Sequence, residues 1–211
     1  MVSCPAQLDM VLNTIFKPVS KNTIDNVYRG AIWAFYSGLK KSQLSLVNNK
    51  GIDLNKLKMT VEDDEYPVYK EAVDSYQSCI TLKEFAIIHP NYDKTGTDQR
   101  FVSDGSTFAT TVGILDPNGL QQMINRKTKQ AEKLNIEIPR LKVDKIRLSG
   151  IFYRAKQLES QGFDIDFTYI AKQDMEGKVY AKSKNSMTSR ITERSKEYLA
   201  EYQRWCGVFY K

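Results

Sequence analysis

Between Asn22 and Leu39 the residues Ile24, Val27, Ala31, Ala34, Phe35 and Leu39 recur at the spacing of one helix face, and Tyr28 and Trp33 widen it. An apolar face this broad has to be buried against other elements, so the chain is committed to a packed core with a helix in it. Asn22 or Thr23 supplies the cap. With 211 residues, 41% of them hydrophobic and distributed along the whole length, there is enough apolar material for that core.

The same reading predicts further helices over Val68 to Tyr76, Thr81 to His89, Leu120 to Leu134, Asp144 to Gln161 and Thr188 to Trp205. Pro90 ends the second of these, because proline disfavours helix in the residue before it. Asp116, Pro117, Asn118 and Gly119 form a turn and open the third, and Gly150 softens the fourth. Thr107 to Leu115 is β-branched and reads as a strand. Phe163, Ile165, Phe167 and Tyr169 alternate with Asp164, Asp166 and Thr168, the pattern of a half-buried strand, and Lys178 to Lys182 returns beside it after the QDMEG turn. The expected fold is α+β, helix-rich, with one or two β-hairpins in the second half. It forms a single domain over 1–211, with a break expected in the loop 91–105.

Familiar chemistry has little to stand on. His89 is the only histidine, so any Ser-His-Asp or Cys-His mechanism would have to run through it, and no motif surrounds it. The sequence contains no P-loop, HExxH, GxSxG or GxGxxG, and no cofactor is implied. Cys4, Cys79 and Cys206 are odd in number and lack CxxC spacing, which argues against a disulfide framework or a zinc site and for a reducing compartment. The first residues do not form a signal peptide and no apolar run is long enough to span a membrane, so a cytoplasmic location without membrane contact is expected. Asp164 and Asp166 would share one strand face, either as a metal or general acid–base pair or as the wet side of the strand. The acidic run Glu62 to Glu65 reads as a solvated loop or a contact for a basic partner. These features point to a non-enzymatic binding protein.

Charge gives the binding a place. The formal net charge is +6, and Arg126, Lys127, Lys129, Lys133, Arg140, Lys142, Lys145 and Arg147 crowd one stretch against only Glu132, Glu137 and Asp144. A second set, Lys172, Lys178, Lys182, Lys184, Arg190, Arg194 and Lys196, follows it. Such sets suit neutralisation of nucleic-acid phosphates, with Tyr153, Tyr169 and Tyr180 near enough in sequence to stack on bases. Solvated faces are the alternative for the same charges.

Four segments carry a resemblance: EYPVYKEAV from Glu65, ITLKEFAIIHP from Ile80, FDIDF from Phe163, and TSRITERSKEYLAEY from Thr188. Together they resemble the coat proteins of flexible filamentous plant RNA viruses of the potyvirus type. The resemblance implies that Lys83 stands where that family has an RNA-contacting arginine and that Asp166 is its acidic partner. It further implies packaging of single-stranded RNA without sequence specificity by a homo-oligomer in a helical assembly, the virion. The apolar ends Val2 to Phe16 and Trp205 to Tyr210 would dock on neighbouring subunits. The RNA-binding set is then Lys83, Arg126, Lys127, Lys129, Arg140, Lys142, Arg147, Asp166, Arg190 and Arg194. Three alternatives stand beside it: a non-polymerising nucleic-acid-binding accessory protein, a metal-dependent enzyme acting on nucleic acid through Asp164 and Asp166, and a scaffold protein whose charge is incidental.

Overall fold

The computed structural model describes residues 1–16, 24–82, 84–87, 99–102, 104–110, 113–175 and 184–210. They divide into two compact units, Met1–Ile151 and Phe152–Lys211. The architecture is α+β and helix-rich.

In the first unit, helix α1 (Pro5–Ile15) starts with a proline at a position where its missing N–H costs nothing, and buries Leu8, Val11, Leu12 and Ile15 along one stripe. Helix α2 (Ile24–Tyr36) is buried from Asp25 to Tyr36, which makes it the centre of the core. Two short 3-10 turns, Lys41–Leu46 and Asn49–Gly51, lead into an antiparallel meander of β1 (Ile52–Asp53), β2 (Lys58–Val61) and β3 (Asp64–Pro67). Helix α3 (Val73–Thr81) and two hairpins follow, β4 (Glu84–Ile87) with β5 (Gln99–Val102), and β6 (Ala109–Thr110) with β7 (Gly113–Ile114). Asp116 caps helix α4 (Pro117–Lys133) by accepting from the Asn118 and Gly119 amides at 2.8 and 3.0 Å. Helix α5 (Val143–Ser160) passes through Gly150 without a break. Gly150 is there for clearance, because a Cβ at that position would land on the carbonyl oxygen of Tyr36.

The second unit holds the rest of α5, helix α6 (Phe167–Met175) and the long helix α7 (Lys184–Phe209). Its core is aromatic: Tyr202 lies 5.5 Å from Phe152 and 5.2 Å from Phe167, ring centre to ring centre, and Trp205 lies 6.0 Å from Phe152. The Tyr198 hydroxyl donates to Asp174.

The strand expected over Thr107 to Leu115 is the β6–β7 hairpin, and the helix expected over Val68 to Tyr76 begins only at Val73; three further expectations change. The helix expected over Thr81 to His89 is a strand at its centre, with Phe85 facing Phe101 in the β4–β5 register. Lys83 and His89 lie outside the described residues, as do 91–98 of the loop where a break was expected. The strand expected from Phe163 is an irregular stretch followed by α6, because Asp166 acts as a helix cap, accepting from the Thr168 and Tyr169 amides at 2.8 and 3.0 Å. Its return strand falls at 178–182, also outside the described residues. The apolar ends pack in large part within their own units: Val2, Leu8 and Leu12 are fully buried, the Val2 amide donates to Ser149 Oγ at 3.1 Å and Trp205 is buried, while Met10, Val208 and Tyr210 are exposed. Among the described residues no helix is long and apolar enough to cross a membrane.

Candidate nucleic-acid interface

The best-organised polar cluster in the first unit grows from the end of α2. Gly38 sits in the left-handed region at φ 105°, its amide donates to the Phe35 carbonyl at 2.9 Å, and the Leu39 amide donates to the Ala34 carbonyl at 3.1 Å. This is a Schellman ending, and its left-handed residue is the reason for a glycine after Ser37. The turn sends the chain out as Lys40 and Lys41 and leaves the Gly38 carbonyl pointing sideways, where Arg147 Nε donates to it at 2.9 Å.

Arg147 arrives there because α4 fixes the start of α5. Gln121 accepts from the Val143 amide at 2.8 Å and donates to the Leu141 carbonyl at 3.3 Å, satisfying one of the unpaired amides at the helix start. One helical turn before Arg147, Asp144 forms an ion pair with Lys41 at 2.9 Å. Both partners are open to water, with side-chain exposures of 69% and 48%.

Beside this pair Gln43 is buried and its amide orientation is dictated by its neighbours. Oε1 accepts from the Lys40 amide at 3.2 Å and from the Tyr66 hydroxyl at 2.7 Å, while Nε2 donates to Asp64 at 3.0 Å. Burial, and then the nearby Asp64 carboxylate, push the Tyr66 phenol up to about 12, while its bond to Gln43 and the charge of Arg147 pull the other way. Tyr66 therefore stays neutral at physiological pH and serves as a hydrogen-bond donor.

A second basic element is α4. Arg126, Lys129 and Lys133 are exposed and spaced three and four residues apart, so they form one stripe. Lys127 does not join it: its ammonium pairs with Asp25 at 3.2 Å and sits 5.5 Å above the Phe16 ring, which ties α4 to α2 and α1. Arg140 and Lys142 are exposed on the segment between α4 and α5. The other residues expected from sequence belong to the second unit. Arg190 is exposed on α7, Arg194 pairs with Glu197 at 2.6 Å and covers the Tyr198 ring at 4.5 Å, and Asp166 is the α6 cap rather than part of a phosphate pocket. Asp164 and Asp166 share no strand face, and among the described residues no group of three or more His, Cys, Asp or Glu side chains is placed to hold a metal. Lys41, Gln43, Tyr66 and Gln121 were missed by charge counting; the readable signal was a glycine after a helix followed by two lysines.

Neither a family model nor a curated protein matches the chain. Among solved structures it is similar to the Tn1549 transposon integrase in complex with circular intermediate DNA, with a TM-score of 0.51 and 18% sequence identity over 89% of this chain. The shared property is the fold. The chain spans 59% of the length of that integrase structure.

The integrase likeness corrects the coat-protein reading. The four coat-like segments are short, and the residues that should continue a helix after the Thr-Leu-Lys motif form strand β4 (Glu84–Ile87) here. Single-stranded RNA as partner, the capsid, virion and self-assembling roles, and the expectation of a non-enzymatic protein are corrected with it, because the protein of similar fold is an integrase bound to DNA.

Proposed function

We propose that the protein binds DNA through its first unit and acts in DNA recombination, with Arg147 and Lys41 holding a backbone phosphate. The observations that carry this are the Arg147 guanidinium, oriented by the Gly38 carbonyl at 2.9 Å, and the exposed Lys41 ammonium, paired with Asp144 one helical turn before Arg147. Arginine suits phosphate because its planar fork matches two phosphate oxygens, and a lysine beside it adds a point charge. The Arg126, Lys129 and Lys133 stripe, with Arg140 and Lys142 beyond it, extends the positive surface, and an α-helix fits the width of a DNA major groove. The reaction class in keeping with the fold is phosphoryl transfer at a DNA phosphodiester, where fixed cations on the phosphate oxygens supply much of the catalysis. A cytoplasmic location, with the three cysteines unpaired, accords with this reading.

Fluorescence anisotropy with a labelled duplex, titrated over salt, tests the binding. Arg147→Gln and Lys41→Gln are each expected to weaken binding and to flatten the salt dependence by about 0.9 in log–log slope for each phosphate that is no longer neutralised. Unchanged affinity and slope in both variants would refute the assignment of this site. Conversion of supercoiled plasmid to nicked or relaxed forms tests the reaction, and plasmid left intact at saturating protein would remove the strand-breaking half of the proposal.

A further inference from the structure

Asp144 is the feature that a phosphate-binding site does not need. It stands on the same helical face as Arg147, three residues earlier, and its carboxylate contacts Lys41 at 2.9 Å. The ammonium proposed to meet a DNA phosphate is therefore already matched to an anion. The pair is not structural cement: the Asp144 side chain is largely exposed and that of Lys41 about half exposed, and such pairs contribute little to folding. Its reach is also long in sequence, joining the segment after α2 to the first turn of α5, the same two elements that the Arg147–Gly38 contact joins.

We infer that Asp144 is a built-in counter-ion that occupies Lys41 in the DNA-free protein and is displaced by the incoming phosphate, which sets the affinity of the site below what its cations alone would give. The inference rests on the proposed phosphate site and adds a regulator to it. A carboxylate and a phosphodiester oxygen offer the ammonium the same kind of partner, and only one of them can take the short contact. The negative charge left behind would then face the phosphate, so binding is held to phosphates that also engage Arg147.

The test is a four-protein cycle read by anisotropy on a labelled duplex at fixed salt: wild type, Asp144→Asn, Lys41→Gln and the double variant. Asp144→Asn should tighten binding by roughly two- to fivefold, the range set by an exposed ion pair. In the Lys41→Gln background the same change should give less than half of that gain. Glu71→Gln, an exposed acid on the 3-10 turn before α3, serves as the charge-matched control and should leave affinity unchanged within about 1.5-fold. The inference is overturned if Asp144→Asn binds no tighter than wild type, or if its gain survives intact without Lys41. Should no protein in the set bind duplex at any salt, the DNA reading fails on its own. Calorimetric titration of the same four proteins with tripolyphosphate then decides the counter-ion inference by the same pattern. Thermal melts of each variant confirm that the fold is retained.

Discussion

Replacing Gly150 with alanine sets two effects of known sign against each other. Gly150 lies in the interior of α5, where alanine is favoured over glycine by about 1 kcal/mol through backbone entropy. If the position were open, Gly150→Ala would stabilise the first unit. It is not open: the new Cβ would coincide with the carbonyl of Tyr36, the last residue of α2. Overpacking a dense core costs about 1–3 kcal/mol, and a main-chain carbonyl cannot rotate aside as a side chain can, which places this case near the upper end. Subtracting the propensity gain leaves a net destabilisation of about 2 kcal/mol, or roughly 4–8 °C in Tm for a domain of this size. Gly207→Ala in α7, where nothing lies within 4 Å of the added carbon, is the matched control and should be neutral or slightly stabilising. Melts of both variants by circular dichroism give the comparison. A Gly150→Ala protein that melts at or above wild type would refute the close approach of α5 to α2, and with it the register that brings Arg147 to Gly38. If the approach is as described, the variant should also bind DNA more weakly, since Arg147 lies one turn away on the displaced helix.

Gln43→Glu turns a donor toward Asp64 into a second carboxylate and should cost about 1–3 kcal/mol in urea unfolding, with Asp64→Asn restoring most of it because amide and acid can pair again. The Tyr66 phenol, raised by burial above its unfolded value near 10, stabilises the fold fully below that pH and loses the contribution between 10 and about 12. Stability of the wild type should accordingly fall faster than that of Tyr66→Phe as pH rises through this window, measured as urea midpoints. Trp205→Ala empties the centre of the aromatic cluster around Phe152 and Tyr202 and should cost about 3–5 kcal/mol, seen as a lower urea midpoint for helix unfolding.

Helices with a long periodic face and a cap could be read directly. The α2 face and the Asp116-Pro117 opening of α4 both stand where sequence puts them, whereas the cap expected at Asn22 or Thr23 lies outside the described residues. Short apolar runs could not be read. Leu82, Phe85 and Ala86 fit a helix, but Phe85 and Ile87 equally fit one face of a strand, and pairing with 99–102 decides the matter from a distance. Phe163 to Tyr169 alternates well, yet one carboxylate in a capping position turns the second half of it into helix. The candidate site was half legible. Arg147 belonged to the basic set, but its anchor at Gly38, like the Lys41 that pairs with Asp144, lies about a hundred residues earlier. Arg126 and Lys127 are adjacent and look equivalent in sequence, but only the structure shows that Asp25 takes the second of them out of the basic stripe.

The anchor of Arg147 also has an electrical meaning. A guanidinium fixed by a carboxylate gives up most of its outward field to its partner, whereas a peptide carbonyl supplies direction with no net charge. The Gly38 contact therefore gives the guanidinium a direction without itself cancelling any of its charge, while the exposed Lys41–Asp144 pair is a place where the local potential can be changed by substitution. Geometry and field strength at this corner of the molecule are set by different atoms, so substitutions can tune one while leaving the other in place.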